Sequence, residues 1–529
     1  LTNISFGSAK PPLECEFHRI AARILSDINF TKLIPPASSS VPAGTILGGN
    51  SAVKKFIARF VSIAFTFTFL LVLSAQAQFT LLAVGTLDRS RGGVSTDLSG
   101  LNYTLENGAP ASLLGGFGSA ITYAGGSTFL ALPDRGPNAF PYDASLDDTA
   151  SYINRFHTVN FELSPKAGSL GTPFSLDLSL HATTLLWSAT PLAYGTGDTI
   201  AGSGVPPINS ASQYFFTGRS DNFDSSKDSG NRDDARFDTE GIRLSNDGTK
   251  VYISDEYGPY VYEFNRLTGQ RLRTFQFPAC NPVTPFLGCF FVTNLSSVGN
   301  NEISGNGYGR IANKGMEGLA ITPDGTTLVG IMQNALIQDA KEGKKQSKLL
   351  RIVTFDIASG VATHQYGYLL TTGSGVSEIL ALNNHELLVD ERDGNGRANG
   401  NDAVVKQLFK IDLNAASDIS NMDANAVLAN NASVGKSLFL DIVDLFTKSG
   451  IAAANIPAKI EGISFGPDVK QGKINVHTLW IANDNDFLTT VPDTQGNQIP
   501  NPNQFFVVGF ADAALTGSDY APQQVTPLH

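Results

Sequence analysis

The chain is poor in the residues from which most redox and transition-metal sites are built. Its 529 residues include only 3 Cys, 7 His and 2 Trp. The histidines are scattered, with no His-x-x-x-His or similar pair, which argues against a zinc centre of the His/Cys kind. There is no Gly-x-Ser-x-Gly elbow to present a nucleophilic serine. There is also no Gly-x-x-x-x-Gly-Lys-Ser/Thr loop to cradle a nucleotide phosphate. Positive charge is scarce: 37 Lys and Arg against 48 Asp and Glu leave a net charge of −11. A nucleic-acid binder needs a basic surface, so that partner class is excluded. Amphipathic helical patterns are few, and Ser437–Phe446 is the best of them.

One apolar run stands out, from Phe60 to Leu73, preceded by Lys54, Lys55 and Arg59 and followed by Ala75-Gln76-Ala77. A positive start, a short apolar core and a small-x-small site together read as a secretory signal over residues 53–77, with Gln78 the first mature residue. The run falls short of the roughly 20 apolar residues that a membrane span needs. Residues 1–52 have no clear periodicity, precede a signal that normally sits at a terminus, and are read as an extension produced by a misplaced start. Removing residues 1–77 takes away seven basic and three acidic groups and leaves a single mature domain, 78–529, with a net charge of about −15. It retains Cys280 and Cys289, close enough in sequence to close a disulfide in an exported protein. A periplasmic or secreted monomer with no membrane span is expected.

The mature region is built of short alternating apolar runs broken by Gly, Asn and Asp. Val251–Ser254, Tyr260–Phe264 and Arg271–Phe277 form one such meander, and similar ones begin near Gly318, Ser377 and Gly462. Asn246-Asp247-Gly248 and Pro323-Asp324-Gly325 fall at matching turns. Five units are visible, near 118–165, 240–278, 317–370, 377–413 and 461–511. Units of this kind predict an all-β propeller. A sixth blade is expected from residues 172–216 with help from Phe79–Thr86 and the C-terminus, and long polar insertions near 195–238, 280–313 and 487–503 are expected as surface loops.

Three of the five units carry acids at two places. Glu240-Gly241 is followed by Asp255-Glu256-Tyr257-Gly258, Glu378 by Glu391-Arg392-Asp393-Gly394, and Glu461-Gly462 by Asp484-Asn485-Asp486. Glu317-Gly318 is followed by the neutral pair Gln333-Asn334, and the earliest unit keeps only Asp134-Arg135-Gly136-Pro137-Asn138. The first motif sits at the entry of a blade's innermost strand and the second at the exit of the next strand, so both should ring one mouth of the propeller. Carboxylates crowded in one mouth require a cation or bound protons. An oxygen-rich set suits Ca²⁺. Glu240, Asp255, Glu256, Glu317, Glu391, Glu461 and Asp484 are the expected metal ligands. Arg135, Lys314 and Arg392 are expected to stabilise charge on a substrate, with Asp134 as a further ligand or general base; Arg243 and Lys459 also interleave with the acids. The acidic loop Asp221–Asp238 is a weaker calcium candidate, and Asn102-Tyr103-Thr104 and Asn294-Leu295-Ser296 match a glycosylation triplet.

Taken in order, Asp134-Arg135-Gly136-Pro137-Asn138, Asp238-Thr239-Glu240-Gly241-Ile242, Ser254-Asp255-Glu256-Tyr257-Gly258-Pro259, Lys314-Gly315-Met316-Glu317-Gly318-Leu319, Glu391-Arg392-Asp393-Gly394, Lys459-Ile460-Glu461-Gly462 and Asn483-Asp484-Asn485-Asp486-Phe487 resemble the phytase-like family described as having esterase-like activity. The resemblance implies an exported β-propeller. Through a more distant likeness to β-propeller phytases it implies calcium-dependent hydrolysis of phosphate esters. A lactonase or carboxylic-ester hydrolase of the gluconolactonase-like type is the first alternative, since such propellers also set a Glu beside Gly at a metal-bearing mouth. A non-catalytic, ligand-binding propeller of the cell envelope is the second, because the acidic ring is incomplete.

Overall fold

The alternating apolar runs pair into antiparallel four-stranded sheets arranged around a common axis. The computed structural model describes residues 79–528, apart from 88–94, 145, 167–170, 196–199, 259, 276, 278–308, 341–347, 472–473 and 516. The signal segment, the extension before it and the Cys280–Cys289 pair therefore lie outside the described residues.

The first strand, β1 (Phe79–Leu87), belongs to the last blade. Blade 1 is β2 (Ala120–Tyr123), β3 (Thr128–Leu132), β4 (Arg155–Pro165) and β5 (Phe174–Leu185). A two-stranded ribbon, β6 (Trp187–Ser188) with β7 (Tyr214–Phe215), follows it. Blade 2 is β8 (Thr239–Leu244), β9 (Lys250–Asp255), β10 (Val261–Asn265) and β11 (Arg271–Phe275). Blade 3 is β12 (Met316–Ile321), β13 (Thr327–Met332), β14 (Leu349–Asp356) and β15 (Val361–Leu369). Blade 4 is β16 (Gly375–Ala381), β17 (Glu386–Arg392), β18 (Lys406–Asp412) and β19 (Lys436–Asp441). Blade 5 is β20 (Ile460–Gln471), β21 (Ile474–Asn483) and β24 (Asn503–Phe510), with β1 as its outer strand; β22 (Thr490–Pro492) and β23 (Gln498–Pro500) form a hairpin in the insertion before β24.

The described residues form an all-β propeller of five blades, and among them the expected sixth is absent. The segment assigned to it is divided: Phe174–Leu185 is the outer strand of blade 1, and Phe79–Leu87 pairs with β24 from Phe79↔Phe510 to Leu87↔Asn503. That pairing joins the two ends of the described chain in one sheet, so β24 does not present an open edge. The helix expected at Ser437–Phe446 is half strand: Lys436–Asp441 covers the outer edge of β18, and Asp441 then caps a short helix, Ile442–Lys448, by accepting from the Asp444 amide at 2.9 Å. The matching turns are as expected. Asp247 accepts from Thr249 N, Asp324 accepts from Thr326 N, and Gly248 and Gly325 take left-handed conformations, φ 71° and 73°.

Aliphatic and aromatic side chains fill the spaces between neighbouring blades. Phe129, Phe161, Trp480 and Phe505, for instance, stack between blades 1 and 5. The innermost strands β2, β8, β12, β16 and β20 pack round the axis in that order, and β20 returns to β2. Arg243 reaches across this ring from β8. It donates to Ile121 O and Ile379 O, each at 3.0 Å, and pairs with Glu378 at 2.9 Å, fully buried. The C-terminal segment crosses the face on one side of Arg243, where Ala521 N donates to Leu382 O and Gln523 Nε2 donates to Leu244 O. A cavity of about 440 Å³ beneath it is bordered by Arg243, Asp468, His477 and Tyr520.

Candidate functional site

The strand pairing explains which acids meet. In four blades the register between the first two strands slips at the same place: Thr239/Ile242, Met316/Gly318, Val376/Glu378 and Ile460/Ile463. A bulge there re-aims the residue it contains. The residues so placed are Glu240, Glu317, Ser377 and Glu461. Three positions beyond the partner of the following apolar residue, the second strands bring Glu256, Gln333, Arg392 and Asp484 to the same level. In blade 1, Asp134 holds the second position.

These groups form a polar pocket of about 350 Å³ on the side of Arg243 opposite the C-terminal segment, bordered by Asp134, Arg135, Glu240, Glu256, Lys314, Glu317, Gln333, Arg392, Lys459 and Glu461 among others. Eight of the eleven expected site residues thus share one pocket: Asp134, Arg135, Glu240, Glu256, Lys314, Glu317, Arg392 and Glu461. Asp484 joins Asp134 in a cluster with Asp486, in which one oxygen from each lies within 4.8 Å of the others. Asp238, Glu240 and Glu256 form a second cluster, again with one oxygen from each within 4.8 Å of the others.

Two expected ligands are not brought in. Glu391 is one residue before Arg392 on β17, and alternation along a strand turns it to the other face. There it pairs with Lys436 and accepts from Tyr368 Oη at 2.7 Å. Asp255 is likewise one residue before Glu256. It accepts from Asp238 N at 3.1 Å and Tyr257 N at 3.0 Å, bracing the turn instead of facing the pocket. Glu378, read as the opening acid of its unit, sits at the position that Gly occupies in blades 2, 3 and 5. It lies against the inner strand of blade 3, accepting from Leu319 N at 2.9 Å, and balances Arg243. Asp238 and Asp486 are not among the expected ligands of the mouth, although both lie within the quoted motifs; the signal available is an acid two residues from another acid at a strand end.

The cations are tied to the acids. Arg392 pairs with Glu461, lies 3.8 Å from Glu317, and also donates to Ser377. Arg135 pairs with Asp147 at 2.8 Å, lies 3.6 Å from Asp238, and donates to Asn313 Oδ1 at 3.0 Å. Lys459 binds Asp484 at 2.7 Å and also Asp486. Even so, Asp238 Oδ2, Glu256 Oε1, Glu317 Oε2 and Gln333 Oε1 are buried without a hydrogen-bond partner. Burial and the neighbouring Glu317 push Glu256 up to about 8. Burial together with Glu461 lifts Glu317 to about 7, and burial lifts Asp238 and Asp484 to about 7 against the pull of Arg135 and Lys459 respectively. Glu240 is driven well above the usual range by burial, then by Glu317 and Asp238. An arrangement that holds protons so strongly is one that a divalent cation can relieve, because it supplies the missing positive charge and ligates the idle oxygens. The donor set is all oxygen, which fits a hard cation. Of the acidic loop Asp221–Asp238, Asp238 alone enters a described carboxylate cluster; Asp221 pairs with Arg219, Asp224 with Lys227 and Asp233 with Arg271.

Residues 112–487 match the family described as phytase-like, esterase-like activity of phytase. The chain belongs to the phytase-like family. An uncharacterized secreted protein of Arthroderma benhamiae is 29% identical over 333 residues, covering 54% of this phytase-like chain and 60% of that protein, so the match spans less than two thirds of the relative's length. Among solved structures, a luciferin-regenerating enzyme aligns over 78% of this chain and 97% of its own at 10% identity and a TM-score of 0.29. The Pseudomonas aeruginosa periplasmic gluconolactonase aligns over 82% and 99% at 11% identity and a TM-score of 0.26. Likenesses this weak carry no argument about chemistry. No helix among the described residues is long and apolar enough to cross a membrane.

Proposed function

We propose that this phytase-like chain is an exported, calcium-dependent hydrolase of phosphate esters, acting as a monomer on a small-molecule substrate. The observation that carries the reading is the convergence, in one pocket, of buried carboxylate oxygens without partners and of Arg135, Lys314 and Arg392. Export is supported by the signal at residues 53–77 and by the secreted relative; extracellular and periplasmic release fit equally.

Asp238, Glu240 and Glu256, with Glu317 beside them, would hold the cation, which when bound supplies Lewis acidity toward a phosphoryl oxygen. Arg392 and Lys314 face the same space and would orient the anionic oxygens of the ester and stabilise their charge in the transition state. Asp134 borders the same space and, once ionised beside a bound cation, would take the proton of an attacking water at its carboxylate oxygen. The P–O bond to the leaving group breaks as the water oxygen bonds to phosphorus. The leaving alkoxide is protonated from solvent.

A second reading, hydrolysis of lactones or carboxylic esters, draws on one specific observation: Arg135, Arg392 and Lys459 are already engaged by carboxylates, and a neutral carbonyl needs fewer free cations than a phosphate. The mature chain assayed on paired phosphate-monoester and lactone panels, with calcium and then with chelator, decides between the readings. Calcium-dependent phosphatase turnover that falls at least about 100-fold in Glu317→Gln is expected. Unchanged turnover in that variant would reject the assignment, and lactone preference would favour the second reading.

A further inference from the structure

We infer that the mouth takes up one divalent cation and not two, because Lys459 occupies the second carboxylate cluster in place of a metal ion. The inference deepens the metal-dependent reading above and rests on it. In each of the two triads, Asp238–Glu240–Glu256 and Asp134–Asp484–Asp486, one oxygen from each acid lies within 4.8 Å of the others, and both triads contribute to the same pocket. What differs is how their charge is met.

In the second triad an ammonium already touches two of the three carboxylates. Lys459 Nζ lies 2.7 Å from Asp484 Oδ2 and also contacts Asp486 Oδ1. Backbone amides meet two more of its oxygens: Gly136 N donates to Asp134 Oδ1 at 2.9 Å and Asp486 N donates to Asp484 Oδ1 at 2.7 Å. None of Asp134, Asp484 and Asp486 has a buried oxygen without a partner. A divalent ion entering here would have to displace Lys459 or sit beside its positive charge, and both oppose binding.

Among the described residues no lysine is ion-paired to the first triad, although Lys314 borders the same pocket and its charge acts on Glu256. The cation in contact is Arg135, 3.6 Å from Asp238 and also committed to Asp147, Thr149 and Asn313. Glu256 Oε1 and Glu317 Oε2 are buried in the same pocket without a hydrogen bond, and Asp238 Oδ2, fully buried, also accepts none and faces only Arg135 at 3.6 Å. These are the oxygens an ion would ligate. Lys459 is a positioning residue in this arrangement: it holds Asp484 and Asp486 together as a metal ion would, so the second triad stays assembled whatever the metal concentration.

Isothermal titration of the metal-stripped full chain with CaCl2 tests the inference. The wild type should bind one Ca²⁺, Lys459→Met two, and Glu256→Gln none or one at least tenfold more weakly. Asp486→Asn, a change at a partly exposed side chain that should leave folding intact, should keep one ion with affinity within about twofold of wild type. Two ions in the wild type, a single ion in a folded Lys459→Met, or a tenfold weakening in Asp486→Asn would each overturn it. Phosphate-monoester turnover is scored separately. One bound ion without turnover would fail the hydrolase reading while leaving this inference standing.

Discussion

At the scale of single residues, function in this propeller depends on a one-position difference. Glu391 and Arg392 are neighbours on β17, yet Arg392 faces the mouth and Glu391 a pocket behind it. Burial opposes ionisation of Glu391, but its contacts with Lys436 and Tyr368 outweigh that and hold it below the usual range. Glu391→Gln is therefore expected to lower stability by about 2–4 kcal/mol, because a partly buried Lys436 loses its counter-charge. It should leave calcium affinity unchanged. Glu256→Gln should do the reverse, weakening calcium at least tenfold while stability without metal holds or rises, since a crowded carboxylate is removed. Denaturant unfolding and calcium titration of both variants check the pair, and matching effects in the two would contradict the placement.

At the scale of elements, the recurring feature is the bulged entry of the inner strand. In blades 2, 3 and 5 the acid at the bulge is followed by Gly, and the reason is the neighbouring blade. A Cβ on Gly318 would stand 2.8 Å from Ile379 N, and one on Gly462 would stand 2.9 Å from Gly118 O, both backbone atoms that cannot step aside. Gly318→Ala is predicted to cost about 1–3 kcal/mol by forcing β12 away from β16. It should also loosen the proposed calcium site, because Glu317 is carried on the same turn. An alanine there with an unchanged melting temperature would show that the inner strands are less closely set. Blade 4 departs from the pattern in a compensated way: Ser377 stands where the others have Glu, Arg392 replaces an acid on the second strand, and the two are hydrogen-bonded to each other. The ring is thus incomplete in acids where it carries its cation.

At the scale of the whole molecule, many buried carboxyls give stability a definite pH dependence. Away from the mouth, burial raises Asp234 and Glu378 to about 7 and Asp390 to about 8. Asp238, Glu256, Glu317 and Asp484 add to these at the mouth. Each such group binds its proton more tightly in the folded state than in the unfolded chain, where it titrates near pH 4. Its contribution is full below the unfolded value and is lost as pH rises through the folded one, so stability without metal should fall between about pH 4 and pH 8. His477, raised by Asp468 and Asp512 against the effect of burial, acts in the same direction. Glu391 and Asp486, held low by lysines although burial opposes it, act in the opposite one. The melting temperature in chelator should therefore drop from pH 5 to pH 8, and calcium should raise it at pH 8 far more than at pH 5. A melting temperature that climbs across this window, with calcium without effect at either pH, would contradict both the burial and the site.

Much of this was legible in the residues themselves. Alternating apolar runs with Asx-Gly turns determine strands and hairpins locally, so the meander of blade 2 and its counterparts could be read directly. The acid at the start of one strand and the acid at the end of the next had to share a face, because an antiparallel pair returns the chain to the level it left. What the sequence could not decide is whatever depends on pairing between distant segments. The number of blades turned on Phe79–Leu87 joining β24, more than 400 residues away in the chain. The one-residue bulges that send Glu317 into the mouth and Glu378 onto Arg243 appear only when two strands are in register. The placement of Lys459 within a carboxylate triad, while the triad of Asp238, Glu240 and Glu256 keeps unpartnered oxygens, belongs wholly to the tertiary structure, since charge balance at a point is set by what surrounds it in space.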